Sequence, residues 1–265
     1  MGNAVVFVAE RDGKVLGTLG AAERELVRPD GESSRALYVC DLKVVPGAAA
    51  GMALLRLCAA LKAWVPVQVT TAFAVVMDGT TMTPERYTGR LGIPSFHEVA
   101  KIAVLRLPCD GVRAGPANCS RSESKALATY KKLVRGCYAT AGGNPAERSA
   151  VTPVWLSLAT GDACAMVEDT RKAKRLFAIG GAELQSAHLS YFAFDNARAG
   201  AELLFAAAEV ARTMRFPALF CALPANQAPE LLQALGSPAA EVAPATVYGI
   251  GFPEPLGWHI NTSEI

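Results

Sequence analysis

Apolar positions change period several times in the first hundred residues, and each change predicts an element. Val5 to Glu10 is a β-rich run, and Arg11-Asp12-Gly13-Lys14 supplies a turn with Gly where a positive φ is needed. Val15 to Val27 continues as a second, longer strand, so the chain opens as a meander. Arg28 to Ser34 is polar and carries Pro29-Asp30-Gly31, another turn. Ala36 to Val45 predicts a third strand, with Asp41 and Lys43 alternating against apolar neighbours, and Pro46-Gly47 breaks it. From Ala48 to Trp64 the period becomes helical. Met52, Leu55, Ala59 and Trp64 lie on one arc that Leu54, Leu57 and Leu61 widen, as for a helix packed on a sheet. Val67 to Met77 is almost uniformly apolar and predicts a central fourth strand covered on both faces. Thr83 to Leu91 predicts a short helix, with Thr83 as N-cap and Pro84 at its first position, and Val99 to Leu107 returns as a strand.

Pro108 to Ser122 is rich in Gly, Pro, Asn and Ser and divides the chain into an N-terminal lobe, 1–112, a linker and helix, 113–150, and a C-terminal lobe, 151–265. An amphipathic helix runs from Ser122-Glu123-Ser124-Lys125 to about Tyr138. Strands follow near Val154–Leu158, Cys164–Glu168, Arg175–Ile179 and His188–Phe194. A helix over Ala199–Thr213, a strand over Ala218–Leu223 and a short helix over Pro229–Leu235 complete the order. Ala50-Gly51-Met52-Ala53-Leu54-Leu55 aligns with Ala199-Gly200-Ala201-Glu202-Leu203-Leu204, and Leu91-Gly92-Ile93-Pro94 with Leu235-Gly236-Ser237-Pro238. The shared order of elements predicts an internal repeat.

Composition narrows the function classes. Hydrophobic residues make up 51% of the 265-residue chain and charged residues 19%, enough for a sizeable core. A net charge of +2, with acidic and basic residues intermixed, argues against a nucleic-acid surface. No apolar run reaches the length of a membrane span. Seven scattered cysteines without a C-x-x-C pair suit a reducing cytoplasm, and three distant histidines carry no metal-ligand spacing. A monomer or homodimer without nucleic-acid, membrane or metal partners is expected.

The segment with most chemical content is Val44-Val45-Pro46-Gly47-Ala48-Ala49-Ala50-Gly51, where a strand ends and a helix begins. Small residues let backbone N–H groups approach an anion, and the helix N-terminus adds a positive dipole end. The same turn also suits tight packing without any ligand. Its neighbours favour the anion. Asp41-Leu42-Lys43-Val44-Val45-Pro46 resembles the fourth strand of the GNAT superfamily of N-acetyltransferases, and Gly47 to Leu55 resembles the loop and helix that follow it. Glu10-Arg11-Asp12-Gly13-Lys14-Val15-Leu16-Gly17 resembles that superfamily's hairpin, and Thr83 to Ile93 its late helix. The resemblance covers Val5 to Leu107 and, more faintly, Val154 to Gly236.

It implies an α/β (α+β) fold of two GNAT-like lobes, each a mixed, mostly antiparallel sheet flanked by helices. It further implies an N-acyltransferase that moves an acetyl or other acyl group from acyl-CoA to a small-molecule or peptide amine acceptor. Acyl-CoA would lie between splayed fourth and fifth strands, with Leu42, Lys43 and Val44 pairing with the pantetheine arm. Gly47, Ala48, Ala49, Ala50, Gly51, Met52 and Ala53 would hold the pyrophosphate. Tyr87 stands where the superfamily keeps the acid for the leaving thiolate, packing of its helix being the alternative role. Asp41 or Glu25 would take the amine proton or order a water that does, a solvated strand face being the alternative role of Asp41, and Asp78 would bind acceptor or cofactor or cap a turn. Arg86 and Arg90 could meet an anionic phosphate. The chain departs from the superfamily pattern at Pro46 or Ala49, where Arg or Gln is usual, and at Ala50, where Gly is usual. The superfamily's opening strand and helices have no counterpart, so either the C-terminal half walls the acceptor side or that side is open. Phe194-Asp195-Asn196-Ala197-Arg198 suits a phosphate poorly, so no second cofactor is expected. A non-catalytic acyl-CoA-binding protein and an interaction scaffold are the competing classes.

Overall fold

Alternation in the opening strands becomes pairing. A computed structural model describes the chain except residues 1–2, 48–49, 91–92, 111–114, 116–118, 142–144, 173–174, 178–179, 237–239 and 253–255. Strand β1 (Ala4–Arg11) pairs antiparallel with β2 (Lys14–Val27), and β2 with β3 (Ser33–Val44). Asp12 and Gly13 take positive φ, 52° and 75°, closing the hairpin as the sequence predicts. Helix α1 (Ala50–Trp64) buries Ala53 and Leu57 over β2 and β3, while Trp64 meets Phe7 of β1 edge-on at 6.4 Å. Met52 is 57% exposed and does not share that packed face. Strand β4 (Ala72–Met77), helix α2 (Pro84–Tyr87) and strand β5 (His97–Pro108) follow.

Next come β6 (Cys119–Ser120), α3 (Glu123–Leu133), β7 (Tyr138–Ala141) and α4 (Pro145–Arg148). Ser122 caps α3 by accepting from the Lys125 N–H. That helix stops at Leu133, short of the expected Tyr138. Gly136 turns the chain at φ 81°, and Tyr138 starts a strand instead. The remainder is β8 (Val154–Leu158), β9 (Ala163–Glu168), β10 (Ala187–Phe194), α5 (Ala197–Thr213), β11 (Ala218–Pro224), α6 (Ala228–Leu235), β12 (Glu241–Ile250) and β13 (Trp258–His259).

Two expected strands are revised. Only Ala72–Met77 of Val67–Met77 is strand, and Val67 is 94% exposed in the connection before it. Of the strand expected at Arg175–Ile179, residues 178–179 lie outside the described residues, and the described part forms a single bridge, Phe177 to Glu183.

The larger revision concerns the lobes. Among the described residues all thirteen strands form one sheet, in the order β13-β7-β2-β3-β4-β12-β5-β11-β10-β9-β8-β6, with β1 also on β2. Strand β12 lies between β4 and β5, and β5 lies between β12 and β11. Each half thus supplies the strand that completes the other's sheet, so 1–112 and 151–265 are not closed units. The pairs β3–β4, β10–β11 and β13–β7 are parallel and the others antiparallel, a mixed α/β sheet flanked by helices.

Candidate functional site

The parallel contact between β3 and β4 is short. Only Leu37–Ala72 and Tyr38–Phe73 pair before the strands separate, and β4 continues against β12. A β-bulge bends β3 at that point. Leu19 of β2 opposes both Asp41 and Leu42, Asp41 takes φ 50°, and Thr18 Oγ1 donates to its carbonyl at 3.1 Å. Gly20 faces the bulge because a Cβ there would sit 2.8 Å from Cys40 Sγ. Past Tyr38, β3 pairs only with β2, so its other edge faces the gap.

Beside that gap lies a cavity of about 630 Å³ between α1, α2 and the sheet. Val39 and Leu42 of β3, Leu55 and Cys58 of α1, and Tyr87 of α2 are among its walls. Helix α2 is a single turn held by its flanks. Thr88 Oγ1 donates to Pro84 O at 2.7 Å and accepts from Phe96 N at 3.0 Å, and Glu85 accepts from Glu98 N at 3.1 Å. Burial, then the Cys58 thiol and the Tyr248 phenol, push Tyr87 up to about 12. Burial raises Cys58 as well, which keeps it a thiol.

On the opposite face, Tyr38 and Phe73 pack with Tyr138, Phe252, Trp258 and Ile260. C-terminal residues thus cover the face of β3 and β4 that lies away from the cavity.

No protein-family signature and no curated protein sequence matches the chain. Solved structures do. A crystal structure of Saccharomyces cerevisiae N-myristoyltransferase with bound myristoyl-CoA and inhibitors matches with TM-score 0.57 at 10% identity, over 93% of this chain and 67% of its own. A second structure of that protein, with bound myristoyl-CoA, matches with TM-score 0.54 at 10% identity, over 92% and 69%. This chain has the tandem GNAT fold. It spans about two thirds of the length of those neighbours.

The second GNAT unit repeats the geometry of the first. Strands β10 and β11 pair at Ala187–Leu219 and His188–Phe220 and then separate, and Ala165 opposes both Tyr191 and Phe192 at a bulge with Tyr191 at φ 55°. Here the chain's own tail fills the gap. Tyr191 N donates to Asn261 Oδ1 at 2.8 Å, His259 Nδ1 to Phe192 O at 3.3 Å, and His188 Nδ1 shares a 3.0 Å hydrogen bond with Thr262. Deeper on the same face Arg148 grips the buried Glu168 with two hydrogen bonds, 2.7 and 2.9 Å, and Ser190 donates to the same carboxylate. Asn196 caps α5 by accepting from Ala199 N at 3.0 Å.

Of the residues expected at the site, Tyr87 and Leu42 meet at the cavity. Lys43 is exposed and Val44 half-buried on the free end of β3. Gly47 is exposed at φ 126°, Gly51 has open space around it, Met52 is exposed and Ala53 is buried under α1. Ala48 and Ala49 lie outside the described residues, as does the side chain of Ala50. Asp41 and Glu25 are exposed and do not line the cavity. Asp78 accepts from Thr246 at 2.7 Å, and Thr246 accepts from Lys101 at 2.6 Å. Arg86 and Arg90 donate to the carbonyls of Thr81 and Arg86, at 2.8 and 2.7 Å. Sequence reasoning missed Cys58 and Lys62 as cavity residues. Their signal was the spacing Leu55, Cys58, Ala59, Lys62, a second helical stripe. Ile250 carried no local signal, since β12 reaches the site from the far end of the chain. Among the described residues no group of His, Cys, Asp or Glu is placed to hold a metal, and no helix is long and apolar enough to cross a membrane.

Proposed function

We propose that the chain is an N-acyltransferase whose first GNAT unit binds acyl-CoA and transfers the acyl group to a primary amine by direct attack. The observation that carries this is the free edge of bulged β3 beside a cavity walled by Tyr87. Backbone groups from Leu42 to Val44 can pair with an amide-bearing arm as an added strand would. Ala50 to Ala53, the first turn of a fifteen-residue helix, would offer N–H groups and a positive dipole end to a diphosphate. Bound acyl-CoA supplies the activated thioester.

Tyr87 remains protonated at neutral pH, since its folded value is about 12. Complete proton transfer to a thiolate, whose pKa is near about 8.5, is uphill. Its role is therefore a hydrogen bond to the departing sulfur. Asp41, exposed beside Leu42, is the proposed acceptor of the amine proton. Acetyl-CoA is one acyl donor to test, and small-molecule and peptide amines are the acceptor classes. The high Tyr87 value and the engagement of Arg86 and Arg90 with local backbone carbonyls favour a second reading, an acyl-CoA-binding protein without turnover.

Thermal melts with coenzyme A at millimolar concentration test the binding step, which is expected to raise the melting temperature. Turnover of acyl-CoA against an amine panel separates the two readings. Tyr87→Phe is expected to slow turnover by about ten- to a hundredfold, the worth of a hydrogen bond to a charged group. No melting shift with any CoA species rejects both readings.

A further inference from the structure

We infer that the end of the cavity formed by Val65, Val69 and Ile250 takes the aliphatic chain of a medium- or long-chain acyl group. The inference rests on the acyl-CoA reading and adds the class of acyl donor. It starts from the order of features along α1. The proposed diphosphate site is at Gly51. Cys58, which shares the cavity wall with Tyr87, lies about 10 Å further along the axis, and Val65, just past its end, about 10 Å beyond that. A thioester held at Tyr87 by an arm entering from the helix N-terminus therefore points its chain at the far end.

That end is built for a chain without polar groups. Leu61, Val65, Val69, Ala72, Ile93 and Ile250 form it. Two of the hydroxyls along the cavity are already engaged: Thr71 Oγ1 donates to Arg35 O at 3.3 Å and Thr88 Oγ1 to Pro84 O at 2.7 Å. A polar acceptor placed there would lose its hydrogen bonds to water and gain few in return. Lys62, exposed, is the only charged residue among those lining the cavity. With the arm and thioester lying between Leu42 and Tyr87, an acetyl group would leave the end of the cavity beyond Tyr87 unfilled.

Calorimetric titration of the full chain with acetyl-, butanoyl-, hexanoyl- and octanoyl-CoA, and with octanoate alone, tests this. Each buried methylene contributes about 0.8 kcal/mol, so affinity is expected to rise about fourfold per methylene. Ala59→Phe and Val69→Phe, which place a ring in the cavity, are each expected to flatten the rise. Near-ultraviolet circular dichroism checks that both variants fold. Equal affinity for all four thioesters overturns the chain site and leaves the acyl-CoA reading standing. Binding of octanoate with no affinity for any CoA species overturns both, because the cavity would then hold a free fatty acid, its carboxylate at Lys62.

Discussion

The two GNAT units share a strand, a bulge and a helix in the same order, yet only one leaves its gap open. In the first, β3 parts from β4 after Tyr38 and the bulge at Asp41 faces an apolar cavity. In the second, β10 parts from β11 after His188, and Asn261 and His259 hydrogen-bond the bulged backbone at Tyr191 and Phe192. Splayed strands create unpaired backbone groups, which burial penalises unless a partner is found. The second unit finds its partner within the chain. In the first, that capacity remains for the proposed ligand. A GNAT-like backbone is thus insufficient to mark a cofactor site, and what fills the splay decides.

The contrast can be broken most severely at Trp258. Its side chain is fully buried, with ring centroids 5.0–5.3 Å from Phe252, Tyr138 and Phe73, so it ties the tail of the filled unit to the back of the open one. Trp258→Ala is expected to cost about 3–5 kcal/mol in urea unfolding. A loss below about 1 kcal/mol would show that the tail is not part of the cooperative core.

The next largest effect is a pH dependence confined to the filled unit. Burial holds His259 down at about 4, against an ordinary 6.5. Between those values the unfolded chain binds a proton that the folded one refuses. The stabilising contribution is therefore complete above pH 6.5 and falls as pH drops toward 4, by about 3 kcal/mol in total. Carboxylates also titrate at the lower end, so the quantity to measure is the difference between wild type and His259→Gln at pH 7 and at pH 4. It is expected to shrink by that amount. A difference that does not change with pH would mean that the imidazole is solvated.

The smallest effect sharpens the comparison of the helix N-termini. Asn196→Ala removes the cap of α5 and is expected to cost about 1 kcal/mol of stability without altering any coenzyme A melting shift. Coenzyme A protection lost in this variant would move the diphosphate site to the second unit.

Much of this was legible locally. The hairpin at Asp12-Gly13 follows from turn chemistry, and α1 and α5 from helical periodicity, because both signals act within a few residues. Tyr87 was found through its place in a recognisable helix. Other features were not readable. Val67–Thr71 is rich in β-branched residues as a strand would be, but part of it lines the cavity instead of joining the sheet. Cys58 was hidden because its stripe on α1 faces a void, not the core.

By itself the sequence determined the opening meander, the helices α1 and α5, and the small residues that precede α1, since each depends on short-range sterics and burial periodicity. Tertiary structure alone decided that β5 and β12 trade places, that the tail closes one splay, and that an apolar cavity sits beside the other. Those outcomes depend on which distant backbone edge a strand reaches first with its apolar face buried. Residues such as Glu241–Ile250 can satisfy the same local pattern beside either half, so no local pattern encodes the choice.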